Sequence, residues 1–201
     1  MRLTSGRTLI NVRPMPQSAQ PPAQQFADAL TGLGGRSRHV ADTAAAADAI
    51  EEIVRAHSET RRLLFEPDPL ISSLGLPLAL SARGVSLVDV ADAGDAGELT
   101  VGLTCAELAV ARSGTLLVGG EPGGWGLAAA LPRVHIALVR EADIEPELSA
   151  AFPRFAEQFA KGKKNWVWIS GPSKTADIAM QLVTGVHGPN ALEVLVVGEP
   201  G

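Results

Sequence analysis

A chain of 201 residues with 46% apolar and 19% charged residues can form one globular domain, or one domain with an extension. Its net charge of −5 offers no basic excess for phosphate backbones, which argues against a nucleic-acid partner. One cysteine, Cys105, rules out an internal disulfide and a self-contained thiolate cluster. No metal-ligand spacing is present, and no apolar run approaches the roughly 18 residues of a membrane span. The expected setting is therefore cytoplasmic, with no cofactor in this chain.

Residues 1–25 carry Arg2, Arg7 and Arg13, no acid, and Pro14, Pro16, Pro21 and Pro22. That composition suits a flexible tail, with a targeting segment as the alternative on charge alone. Residues 26–201 are expected to form a single α/β domain. Phe26–Leu30 close a short helix, and Arg38–Ala41 form a first strand. Thr43–His57 is Ala-rich with an apolar stripe of Ile50, Ile53 and Val54, a helix for which Thr43 is the expected cap. Arg61–Phe65 and Val85–Val90 are strands, and a short helix limited by Pro77 lies within Pro69–Leu80.

Thr104–Arg112 suit a short helix with Thr104 at its cap and Glu107 in its first turn. A strand follows over Gly114–Val118, then a loop over 121–126 holding Trp125, a helical turn over Leu127–Leu131, and a strand over Val134–Val139. Glu145–Phe159 are expected to be helical, with Leu148, Phe152, Phe155 and Phe159 forming a core-facing stripe and Pro153 threatening a kink. Trp166–Ile169 have the length and composition of a buried strand. Thr175–Val183 look helical, with Ser173 as cap, and Leu192–Val197 are a final strand. Strands alternating with helices predict a layered α/β fold: a largely parallel sheet with flanking helices. Ligands of such sheets sit past the strands' carboxyl ends, so the turns after Val90, Val118 and Ile169 are expected to share one crevice.

The stretch from Ile169 to Pro189 carries the main functional signal. Read as strand, Gly-Pro turn and helix start, it places Gly171, Ser173, Lys174 and Thr175 where free N–H groups suit an anion. Lys174-Thr175 is not a phosphate loop, because Ser173 and Trp168 occupy the two places where that motif needs glycine. Asp177, about one turn on, would repel a dianion, which favours a hydroxy acid or another small polyfunctional acid; a solvated helix start explains the same residues. His187, between Gly185 and Gly188, is a candidate for proton transfer, or a loop histidine bonded to backbone. A second block brings Thr104, Glu107, Gly114 and Thr115. Glu107 is the other catalytic candidate, or a carboxylate that merely answers a helix dipole. Cys105 reads as a small buried residue, and His135, alternating with Val134 and Ile136, as a satisfied core position.

Three blocks together resemble the family of lactate-utilization protein C, the LUD-domain family. These are Ile169-Ser-Gly-Pro-Ser-Lys-Thr-Ala-Asp177 with Gly185-Val-His-Gly-Pro189, Gly102-Leu-Thr to Ser113-Gly-Thr115, and Leu131-Pro-Arg-Val-His-Ile136. The likeness covers about residues 25–200. Arg112 departs from it, standing where the family usually has an acid. The resemblance implies a fold akin to the NagB/RpiA/CoA-transferase-like superfamily. It also implies a part in bacterial L-lactate oxidation to pyruvate, binding a small organic acid or partner subunits. The cysteine-rich partners would carry the iron–sulfur clusters. It assigns no catalytic role. A free-standing isomerase or CoA-transferase-like enzyme acting on a small anion is the other reading, with Glu107 as its carboxylate.

Overall fold

A six-stranded parallel layer carries the fold, in the order β3 (Ser86–Asp89), β2 (Arg62–Phe65), β4 (Val101–Val110), β6 (Val134–Arg140), β11 (Ala191–Val197) and β1 (Arg36–Val40). The structure is a computed structural model that describes residues 20–94, 99–120, 126–160, 162, 164–176, 182–184 and 188–198. Strand β4 leaves β6 after Cys105. Its second half pairs antiparallel with β5 (Thr115–Gly120), which pairs antiparallel with β8 (Lys164–Ile169). The short β7 (Ile144–Glu145) lies parallel to the end of β4. The expected α/β class and its largely parallel sheet are thus present.

Both faces of the parallel layer are covered, which is why its strands read as continuous apolar runs. In β6, Val134, Ile136 and Leu138 join one core. Their neighbours Ala137 and Val139 join the other. The first core is roofed by α2 (Thr43–His57), α3 (Pro69–Ser73) and α4 (Leu76–Ala82), through residues such as Ile50, Ile71 and Leu80. The second is roofed by α1 (Pro22–Gly32), through the fully buried Phe26 and Leu30, and by β5. Each such side chain contributes roughly 1.5–3 kcal/mol by leaving water. Helix α1 begins at Pro22, inside the stretch expected as tail, and residues 1–19 lie outside the described residues.

Helix α2 has the expected limits, but its cap is Asp42, whose carboxylate accepts the Ala45 N–H at 2.8 Å. Thr43 is the first helical residue. The expected helix at Thr104–Arg112 is instead the buried strand β4, followed by one 3-10 turn over Ala111–Ser113. Alanine, glutamate and leucine favour a helix locally, but burial on both sides and pairing with four strands prevail. The helix expected over Thr175–Val183 fails at both ends. Lys174–Ala176 form β9, paired antiparallel with β10 (Leu182–Thr184), and the residues between them lie outside the described set.

The stripe on α6 (Leu148–Ala160) is not core. Leu148, Phe152 and Phe159 are 46%, 52% and 63% exposed, while Ala151 is buried. Phe155 alone of the four is half-buried, with its ring 5.5 Å from Trp166 and 6.0 Å from Trp168. Pro153 sits inside α6 without ending it. Strand β8, expected to be buried, leaves Val167 and Trp168 44% and 38% exposed. It pairs only with β5 among the described strands. The loop expected to hold Trp125 lies mostly outside the described residues.

Candidate functional site

The segment after β8 turns sharply at Gly171, whose φ of +80° suits glycine and whose missing Cβ leaves room for Leu33. Ser173 then donates its N–H to the Pro189 carbonyl at 2.8 Å, which joins this turn to the entry of β11. Between them opens a cleft of about 470 Å3. Ser170, Gly171, Ser173 and Lys174 form one wall. Gly126, Ala129 and Ala130 also line the cleft, and His135 and Leu192 line it from the first residues of β6 and β11. The cleft therefore lies at the amino ends of these strands, opposite the edge expected from strand order.

Lys174 is exposed at the rim and donates from Nζ to the Leu33 carbonyl at 2.6 Å, leaving two of its three N–H donors for other groups. It is the one formal cation among the described lining residues, which include no carboxylate. Behind the Ser170 wall, the Ser170 hydroxyl meets the Thr115 hydroxyl at 2.8 Å, and Thr115 meets Ser113 at 2.7 Å. Gly114 permits this arrangement. Its φ is +60°, and a Cβ there would lie 2.6 Å from the Leu30 nitrogen.

His135 is 1% exposed, and its Nε2 lies 2.7 Å from the hydroxyl of Thr104, itself 2% exposed. Burial pushes the imidazole pKa down to about 4, so the ring is neutral near pH 7. This is the satisfied core histidine expected from the alternation, and it also faces the cleft. Glu66, buried at the start of α5 (Leu127–Ala130), accepts the Ala128 N–H at 3.3 Å and so holds the α5 wall. Burial raises the pKa of its carboxyl group.

A second, smaller cleft of about 190 Å3 lies past the carboxyl ends of β2 and β6, beside the middle of β4, lined by Asp68, Cys105, Glu107, Arg140, Asp143 and Gln158. Burial, and then Asp68 beside it, push the Cys105 thiol well above its usual range, which fits the expected inert, buried cysteine. Among the described residues no group of three or more His, Cys, Asp or Glu side chains could hold a metal ion.

The predicted residues therefore divide. Gly171, Ser173 and Lys174 line the first cleft. Thr104, Gly114 and Thr115 stand behind it, through His135, the approach of α1 and Ser170 respectively. Glu107 lies in the other cleft. Thr175 is in β9, and Asp177 and His187 lie outside the described residues. The helix start expected to offer its N–H groups to an anion does not form here, since Lys174 opens a strand. Of the three turns expected to share a crevice, those after Val90 and Val118 do not line the first cleft over their described residues. His135 was legible only as a core residue. The signal for more was a polar ring inside one of the blocks that carry the family resemblance.

The family model described as LUD domain matches residues 23–197. Lactate utilization protein C of Geobacillus sp. is 35% identical over 105 residues, 51% of this chain and 44% of the relative. The protein of the same name from Halalkalibacterium halodurans is 30% identical over 150 residues, 70% of this chain and 64% of the relative. These two matches span less than two thirds of the relatives' length. That from Deinococcus radiodurans is 29% identical over 189 residues, 92% of this chain and 84% of the relative. A crystal structure of a DUF162 family protein from Deinococcus radiodurans shares the fold, with a TM-score of 0.63 at 22% identity over 91% of this chain and 100% of that one. No helix among the described residues is long and apolar enough to cross a membrane.

Proposed function

This chain belongs to the LUD domain family, and from that premise we propose that it serves lactate utilization by holding a small organic acid in the cleft beside Lys174. Its place is that of the cluster-free component of an iron–sulfur system that oxidises L-lactate to pyruvate. Cysteine-rich partner subunits carry the clusters, since this chain's one cysteine cannot. The relatives named lactate utilization protein C support the setting.

The observation that carries the binding role is the cleft's electrostatics. One ammonium, hydroxyls at Ser170 and Ser173, and no described carboxylate favour a monoanion over a cation. An ammonium and a carboxylate about 4 Å apart near a surface attract by about 4 kcal/mol before desolvation is counted. Isothermal titration calorimetry with L-lactate and pyruvate tests this. Both acids are expected to bind, about tenfold more weakly to Lys174→Met. Absence of binding to the wild type at millimolar acid would overturn the reading. Affinity purification from a native extract tests the partner claim, which fails if no cysteine-rich protein is recovered.

Glu107, half-buried in the second cleft beside Arg140, favours the other reading, an enzyme acting on a small anion. That reading predicts a raised melting temperature with acyl-CoA or sugar phosphates, lost in Glu107→Gln, and no effect of lactate.

A further inference from the structure

We propose that His135, backed by Thr104, reads the 2-oxygen of the acid in the Lys174 cleft and accepts it as either hydroxyl or ketone. The inference rests on the acid-binding reading above and narrows the ligand to short 2-hydroxy and 2-oxo monocarboxylates.

His135 is a nearly fully buried polar side chain that nonetheless lines a 470 Å3 cleft. Its Nε2 is engaged by the Thr104 hydroxyl at 2.7 Å, and no described residue bonds the ring's other nitrogen, Nδ1, which is the atom we assign to a ligand. A neutral imidazole has one donor and one acceptor nitrogen, and a hydroxyl can play either part. When Thr104 donates to Nε2, the ring proton sits on Nδ1, which donates to a keto oxygen. When Nε2 carries the proton and donates to Thr104, Nδ1 is bare and accepts from a ligand hydroxyl. The proton exchanges through solvent before the acid seats, and net charge does not change. Burial keeps the ring neutral, as this scheme requires: its pKa is about 4, and no charge nearby contributes to that value. Ala129, Ala130 and Leu192 beside it give the short carbon chain an apolar wall. A carboxylate at Lys174 and a 2-oxygen at His135 are thus separate demands on one small molecule.

Calorimetry on the full chain with L-lactate, pyruvate and propionate tests the inference. Wild type is expected to bind lactate and pyruvate at least about tenfold tighter than propionate, because a site built to bond an oxygen rejects the analogue that lacks it. His135→Phe brings all three acids to the propionate level, whereas Lys174→Met weakens all three alike. Thr104→Val leaves a buried Nε2–H without an acceptor. It therefore fixes the proton on Nδ1 and shifts preference toward pyruvate by roughly threefold or more. Equal wild-type affinity for propionate and lactate overturns this inference while leaving acid binding intact. No binding of any acid overturns both. Should His135→Phe fail to fold, 15N NMR of the wild-type ring decides. Nδ1 protonated with pyruvate and Nε2 with lactate is the expected result, and one tautomer with both acids overturns the proposal.

Discussion

Acid should destabilise this protein through His135. The ring titrates near 6.5 in the unfolded chain and near 4 in the folded one, because burial disfavours the imidazolium. Above pH 6.5 neither state holds the proton, and the histidine's full contribution is present. As the pH falls below 6.5 the unfolded state binds the proton first, so stability declines until about pH 4, where the folded state binds it too. At about 1.4 kcal/mol per pH unit the whole window is worth about 3 kcal/mol, of which roughly 2 kcal/mol is gone by pH 5. Urea denaturation of wild type and His135→Gln at pH 7.5, 6 and 5 isolates the effect, since His39, His57, His187 and every carboxylate are common to both chains. Wild type should lose about 2 kcal/mol more than the variant over this range, or several degrees in melting temperature for a chain of this size. Parallel pH profiles would refute the assignment of a buried neutral ring.

Gly102→Ala would drive a Cβ into the Ala128 carbonyl and to 2.8 Å from Pro132 Cγ. Thermal denaturation should show a loss of about 1–3 kcal/mol, with weaker acid binding as the α5 wall shifts. Asp42→Ala removes the α2 cap and should cost about 1 kcal/mol in urea titrations, with Asp42→Asn recovering most of it. Phe152→Ser and Phe159→Ser change stability by less than about 0.5 kcal/mol because these rings are mostly in water. Phe155→Ala, which strips the contacts to Trp166 and Trp168, costs at least about 2 kcal/mol by the same assay.

Elements with strong local signals were legible in the sequence. The fifteen-residue α2 shows helix propensity and a one-sided stripe, and β6 and β11 are apolar runs ended by turns. The misreadings share a cause. Period and propensity do not report which neighbour covers a face. Strand β4 is apolar on both sides because two layers cover it, and that pattern mimics a buried helix. The α6 stripe has the spacing of a core helix, yet β8 covers only part of it. Gly171, Ser173 and Lys174 do line one cleft, but not through the helix start that the sequence suggested. A two-stranded ladder and a loop tied to Pro189 hold those residues. The link from Thr104 to His135 joins residues 31 positions apart, and no local pattern announces it.

Strand β11 lies between β1 and β6, pairing in register with both. During synthesis the ribosome releases β1 and β6 long before the residues that bridge them. Until position 197 emerges, the growing polypeptide exposes two bare β edges and leaves His135 without its strand partner Leu192. Such intermediates are slow to resolve and prone to stick to one another. Loss of β11 should therefore separate β1 from the rest of the sheet and leave a stronger dependence on chaperones and no assembled cleft.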